Sequence, residues 1–128
     1  MSRPAHAAAL LLALLPVLLP AGPAAAERDR GSLCHRIAGK LASVSLGECL
    51  RPGLHDGGGR SVNGSPILLK EYPPLPGREP RGRVLLVGGI HGDEYSSISV
   101  VFKWMNILDE HHSGLFHWRI VPLLNPDG

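Results

Sequence analysis

Aromatic residues are scarce in this chain: Phe, Trp and Tyr make up 5% of its 128 residues. A surface that grips nucleic acid by stacking bases needs more of them. An excess of one charge is also missing. Thirteen Lys and Arg stand against eleven Asp and Glu, a formal +2 at pH 7, so there is no basic field to attract nucleic acid or an anionic membrane surface. Only two cysteines occur, Cys34 and Cys49, and no Cys-x-x-Cys, which argues against a thiolate metal pair. The longest apolar run, Ala7 to Leu19, carries Pro16 and is followed by Pro20. It falls short of the ~20 residues a spanning helix needs, so no stable membrane anchor is expected.

What the chain does contain begins with an export signal. Arg3 gives a basic start, Ala7–Leu19 an apolar centre, and Ala24-Ala25-Ala26 a small-residue cleavage site. This tripartite layout predicts a signal peptide over residues 1–26 and a periplasmic or secreted product. Cleavage removes Arg3 and leaves the mature chain close to neutral. An exported chain enters an oxidising space, and there Cys34 and Cys49 are better placed to form a disulfide than to bind metal or stay as buried thiols.

Along the mature chain the polar stretch Glu27–Gly31 reads as a frayed terminus. Leu33, Ile37 and Leu41 recur at helical spacing, which predicts a short helix capped by Ser32 and ending near Ser43. Leu46–Leu50 reads as a connector, and Arg51–Gly59, with Gly57-Gly58-Gly59, as a loop. Gly59–Ile67 reads as a hairpin turning at Asn63-Gly64, followed by a strand over Ile67–Tyr72. A proline-rich surface connection over 73–82 precedes the apolar strand Arg83–Val87, whose continuous hydrophobicity predicts cover on both faces. A helix over Tyr95–Asp109 is apolar too broadly for a surface helix, and Phe116–Leu124 is a last strand, expected at an exposed edge of the sheet. Residues 27–58 form a leader packed outside the main domain and 59–128 the domain itself. Strand, helix and strand with short links make a βαβ unit with a parallel pair, hence an α/β fold.

In such sheets ligands gather beyond the carboxyl ends of the strands. Two polar turns lie at those ends, His91-Gly92-Asp93-Glu94 and Asn125-Pro126-Asp127-Gly128. His91 offers an imidazole nitrogen and Glu94 carboxylate oxygens, a donor pair suited to Zn2+. Alone, His-x-x-Glu is a weak signal that an ordinary hydrogen-bonded pair explains as well. A catalytic zinc site takes three protein ligands and a base for its water. His111 and His112 lie at the far end of the predicted helix, roughly 20 Å from Glu94 at 1.5 Å per residue. His117 begins the next strand and His55 sits in the glycine loop, so none of the four is a strong third ligand. Asp93 reads as a hydrogen-bonding support for His91 or a helix cap rather than a base.

Gly88-Gly89-Ile90-His91-Gly92-Asp93-Glu94, the later Asn125-Pro126-Asp127-Gly128 and the upstream Gly59–Ile67 together resemble the zinc carboxypeptidase family, most closely its murein-peptide amidase branch. Arginine is common in that family where Ser65 stands. The resemblance implies the start of a three-layer α/β/α domain with a mixed sheet, truncated after its first βαβ unit. It implies Zn2+ as cofactor, His91 and Glu94 as two of three ligands, and a third ligand and general base beyond Gly128. The implied activity is hydrolysis of peptide or amide bonds, with a peptide substrate such as a cell-wall peptide. The aspartoacylase and succinylglutamate desuccinylase branch, which hydrolyses acylated amino acids, shares the Gly-x-His-Gly-x-Glu corner and is the alternative. A product that ended at Gly128 would lack a ligand and a base and would be inactive.

Overall fold

The computed structural model describes residues 22–128. The stretch expected to be a signal peptide lies, up to residue 21, outside the described residues. No helix among the described residues is long and apolar enough to cross a membrane.

Helix α1 spans Pro23–Lys40, with Pro23 in its first turn, where a missing N–H costs nothing and φ is already helical. It buries Leu33, Cys34 and Ile37. The stretch read as a frayed terminus, Glu27–Gly31, is therefore helical: Arg30 reaches the Leu54 and Leu50 carbonyls and pairs with Glu27. Leu46–Cys49, read as a connector, is a one-turn helix, α2. Its start is a capping box in which the Glu48 N–H donates to Ser45 Oγ at 3.2 Å and the Ser45 N–H donates to Glu48 Oε2 at 2.7 Å. The reciprocal bonds satisfy donors that a helix end otherwise leaves open, and the Ser45 backbone N–H heads the interactions that lower the pKa of Glu48.

A disulfide joins Cys34 of α1 to Cys49 of α2, with Cα atoms 5.4 Å apart and both residues fully buried. Closing a loop of this length stabilises by about 3 kcal/mol in the chain-entropy model. Replacing both cysteines by serine, or reducing the bond, is expected to lower the midpoint of thermal unfolding by more than about 10 °C, since 1 kcal/mol moves a domain of this size by about 4–8 °C. Calorimetry with and without reductant checks this.

The glycine-rich segment read as a loop contains a strand. β1, Leu54–Arg60, pairs antiparallel with β2, Pro66–Tyr72, and the register shifts between Asp56 and Gly59. A bulge there absorbs two extra residues, Gly57 and Gly58. The connecting turn runs over 61–65, longer than the two-residue turn expected, with Gly64 at φ +82°. β3, Arg83–Val87, is followed by α3, Tyr95–His111, and β4, His117–Val121. β4 pairs parallel with β3 and antiparallel with β2, giving the order β1-β2-β4-β3. The sheet is mixed and the fold α/β. The last strand is internal rather than at the edge. The edge strands are β1 and β3, and Leu85 of β3 is 66% exposed rather than covered on both faces.

One core cluster gathers Leu33, Ile37 and Leu41 with Leu54 and Leu68 from β1 and β2, Phe102 and Met105 from α3, and Ile120 from β4. Helices α1 and α3 thus share one face of the sheet. The leader is part of this core, not an outside layer, and the expected boundary at 58/59 falls inside β1. The second helical layer of an α/β/α arrangement is not among the described residues. Helix α3 is apolar on two sides, as its sequence predicts: Ile98, Val101, Phe102 and Met105 face the core, while the apolar Val100, Trp104 and Ile107 are exposed among the described residues.

Candidate metal corner

The parallel pairing of β3 with β4 does not stop at the strand ends. The Gly88 N–H donates to the Val121 carbonyl at 2.8 Å, the Leu124 N–H to Gly88 at 3.0 Å, and the Asn125 N–H to Gly89 at 2.9 Å. The two carboxyl-end segments therefore leave the sheet joined. Only glycine permits this approach. Gly89 has φ +55°, and a Cβ on it would lie 2.5 Å from Leu123 Cδ1. A Cβ on Gly92 would overlap the Asn125 carbonyl and stand 2.7 Å from the Gly128 Cα.

From this base the chain makes a tight turn. The Glu94 N–H donates to the His91 carbonyl at 3.1 Å. His91 and Glu94 are thus the first and fourth residues of one turn, which holds their Cα atoms within about 7 Å. Both are exposed at the carboxyl end of the sheet. α3 starts at the next residue with Glu94 at its N-cap, and no side chain caps it. Asp93, expected as a cap, does not fill that role; its carbonyl accepts the Tyr95 N–H at 3.0 Å and its side chain is exposed.

The turn Asn125–Gly128 lies against Gly92, and its Asp127 ties a third segment to the corner. Asp127 accepts hydrogen bonds from the Ser61 hydroxyl at 2.7 Å and the Asn63 N–H at 3.0 Å. These bonds, the Ser61 hydroxyl first, hold the Asp127 carboxyl below its ordinary value. The leader joins in: Arg36 donates to Ser65 Oγ at 2.7 Å and Lys40 Nζ to the Gly128 carbonyl at 3.1 Å. The three sequence segments singled out above, 59–67, 88–94 and 125–128, therefore meet in space. Sequence reading missed the parts played by Asp127, Arg36 and Lys40. For Asp127 the available signal is an aspartate in a turn, a residue type that binds backbone N–H groups.

The four histidines weighed above as a third ligand lie elsewhere. His111 ends α3, His112 Nε2 is 3.1 Å from the Phe116 carbonyl, His117 Nε2 is 3.9 Å from Glu71, and His55 Nδ1 is 2.9 Å from the Gly53 carbonyl. Among the described residues, no group of three or more His, Cys, Asp or Glu is placed to hold a metal ion. The donor chemistry at the corner is one imidazole and one carboxylate on the same turn. That fits zinc from one side, as two of its three protein ligands.

Residues 80–128 match the family model for the succinylglutamate desuccinylase/aspartoacylase catalytic domain. The match includes β3, the metal corner, α3, β4 and the Asn125–Gly128 turn, and leaves out the leader and the β1–β2 hairpin. No curated protein and no solved structure matches the chain.

Proposed function

We propose that this protein is an exported, zinc-dependent hydrolase of amide bonds in N-acyl amino acids, and that the His91–Glu94 turn is one flank of its metal site. The observation that carries this reading is that turn itself. It presents an imidazole and a carboxylate at the carboxyl end of a parallel strand pair, inside the stretch that matches the desuccinylase and aspartoacylase catalytic domain. When bound, zinc would supply Lewis-acid polarisation of the scissile carbonyl and activation of water near neutral pH. His91 and Glu94 would hold the ion, and Gly88 and Gly89 let the chain pack closely against Pro122, Leu123 and Ile98, which fixes the backbone leading to the turn. Among the described residues no third ligand or general base is brought to this corner.

A second reading, hydrolysis of peptides including cell-wall peptides, rests on the junction of the 61–65 turn, the corner and Asn125–Gly128 through Asp127. Those are the three segments that resemble the zinc carboxypeptidases. Purified full-length protein given a panel of N-acyl amino acids and short peptides, murein peptides among them, separates the two. Hydrolysis of the acyl amino acids, lost on chelation and restored by zinc, is the expected result. Turnover of peptides alone establishes the second reading, and activity that survives exhaustive chelation overturns both.

A further inference from the structure

We infer that Ser97 is a positioning residue for the metal corner, a role that rests on the zinc reading above. Ser97 lies in the first turn of α3. Its hydroxyl donates to the Glu94 carbonyl at 2.9 Å and accepts the Gly89 N–H at 3.1 Å, while its own N–H reaches the same Glu94 carbonyl at 3.1 Å. One hydroxyl thus bridges the two sides of the ligand turn: the glycine where the chain leaves β3 and the residue that carries the carboxylate ligand.

The bridge closes a ring. Gly89 leads through Ile90 to His91, His91 accepts the Glu94 N–H, Glu94 accepts from Ser97, and Ser97 returns to Gly89. The far side of Gly89 is fixed as well, because its carbonyl accepts the Asn125 N–H at 2.9 Å. The left-handed Gly89 would otherwise be the loosest joint in the segment, because a glycine has more backbone freedom to lose than any other residue. Ile98 and Leu123 pack beside it, but packing restricts rotation about the joint less than a bond to its amide does. Ser97 touches neither ligand side chain. It acts through the backbone that fixes where the imidazole and the carboxylate start; groups bonded directly to metal ligands change affinity by about 10–100-fold when removed, and Ser97, one step behind the ligands, falls at the lower end of that range.

Ser97→Ala removes the bridge, and Ser97→Thr keeps it, because a threonine hydroxyl on a helix reaches the same carbonyl three or four residues back. The test uses the full-length protein, with zinc affinity measured by competition against a chromophoric chelator and the Gly89 amide followed by hydrogen exchange. Ser97→Ala is expected to weaken zinc at least tenfold and to speed exchange at Gly89, with the far-UV spectrum unchanged, and Ser97→Thr to restore both. Zinc affinity and Gly89 exchange at wild-type levels in Ser97→Ala overturn the inference. So does an equal loss in Ser97→Ala and Ser97→Thr, since that marks packing and not the hydroxyl. A wild-type protein that binds no zinc overturns the zinc reading itself, and the two failures are told apart by which protein shows them.

Discussion

Alanine at His91 or at Glu94 is expected to remove zinc and to lower hydrolysis by roughly 10³-fold or more, while the protein stays folded. The size follows from what a metal supplies: several kcal/mol of transition-state stabilisation, at about 1.4 kcal/mol for each factor of ten in rate. The survival of the fold follows from where the two side chains sit. Both are exposed, and Glu94, although at the α3 N-cap, makes no side-chain cap bond; exposed substitutions that remove no such contact change stability by about 0.5 kcal/mol or less. Their structural work is done by the backbone: the His91 carbonyl accepts from Glu94, and the Glu94 carbonyl accepts from Ser97. Alanine keeps every one of those groups. Zinc content, kcat/KM and the unfolding midpoint, measured on the same samples, therefore separate a ligand role from a structural one. Glu94→Gln sharpens the result, because it keeps the shape and removes the charge, and it is expected to lose zinc as alanine does. Variants that keep stoichiometric zinc and activity within tenfold of wild type would move the metal centre away from this corner.

The corner was legible in the sequence because its signals are local and chemical. Gly88-Gly89 before His91, and Glu94 three residues on, announce a sharp turn carrying two donors, and the apolar runs on either side fix it at the end of a strand. The parallel β3–β4 pair follows from the same pattern. What the sequence hid was set by contacts distant along the chain. Leu85 lies in an unbroken apolar run and reads as buried, yet nothing in β3 says that β4 inserts between it and β2 and leaves β3 at the edge. Gly57-Gly58-Gly59 reads as a loop because glycine weakens strands, but the pairing of Asp56 with Leu68 and of Gly59 with Ile67 carries the strand across the unpaired Gly57 and Gly58. Glu27–Gly31 reads as frayed because it is polar; it is held helical partly by Arg30, which reaches β1. One signal was local and still passed over: Ser45-Leu46-Gly47-Glu48 is a capping-box pattern. The convergence of Asp127, Ser61 and Asn63 is a tertiary fact that no spacing rule contains.

A large stability effect is also expected far from the corner, at Asp109. It stands near the last turn of α3, roughly 20 Å along the helix from Glu94 at 1.5 Å per residue. Its carboxylate pairs with Arg51 at 2.8 Å and with Lys70, and accepts the Tyr72 hydroxyl at 2.8 Å. The two cations have side chains only 8% and 9% exposed. Asp109→Ala leaves Lys70 without a carboxylate and leaves Arg51 to Asn106 and the Glu48 carbonyl alone. Stranding a buried charge costs about 3–5 kcal/mol. Asp109 itself is 34% exposed, and solvent screening puts the loss at the lower end, about 3 kcal/mol. A fall of more than about 10 °C in the unfolding midpoint is the expected readout, with zinc affinity at the corner unchanged. Adding Lys70→Met to Asp109→Ala is expected to recover part of the loss, since an uncompensated cation costs more than an apolar side chain in its place. The pH dependence carries the same signature. Burial pushes the Asp109 carboxyl up, but hydrogen bonds from Lys70 and Tyr72 and the charges of Lys70 and Arg51 outweigh burial and hold it below its ordinary value of 3.8. A carboxyl lowered on folding stabilises above its unfolded pKa and loses that contribution as pH falls through its folded one. The gap in stability between wild type and Asp109→Ala is therefore expected to be full near neutral pH and to close as the pH falls below about 4. A gap that stays constant through that range would show that the network is held by packing and not by the charge on Asp109.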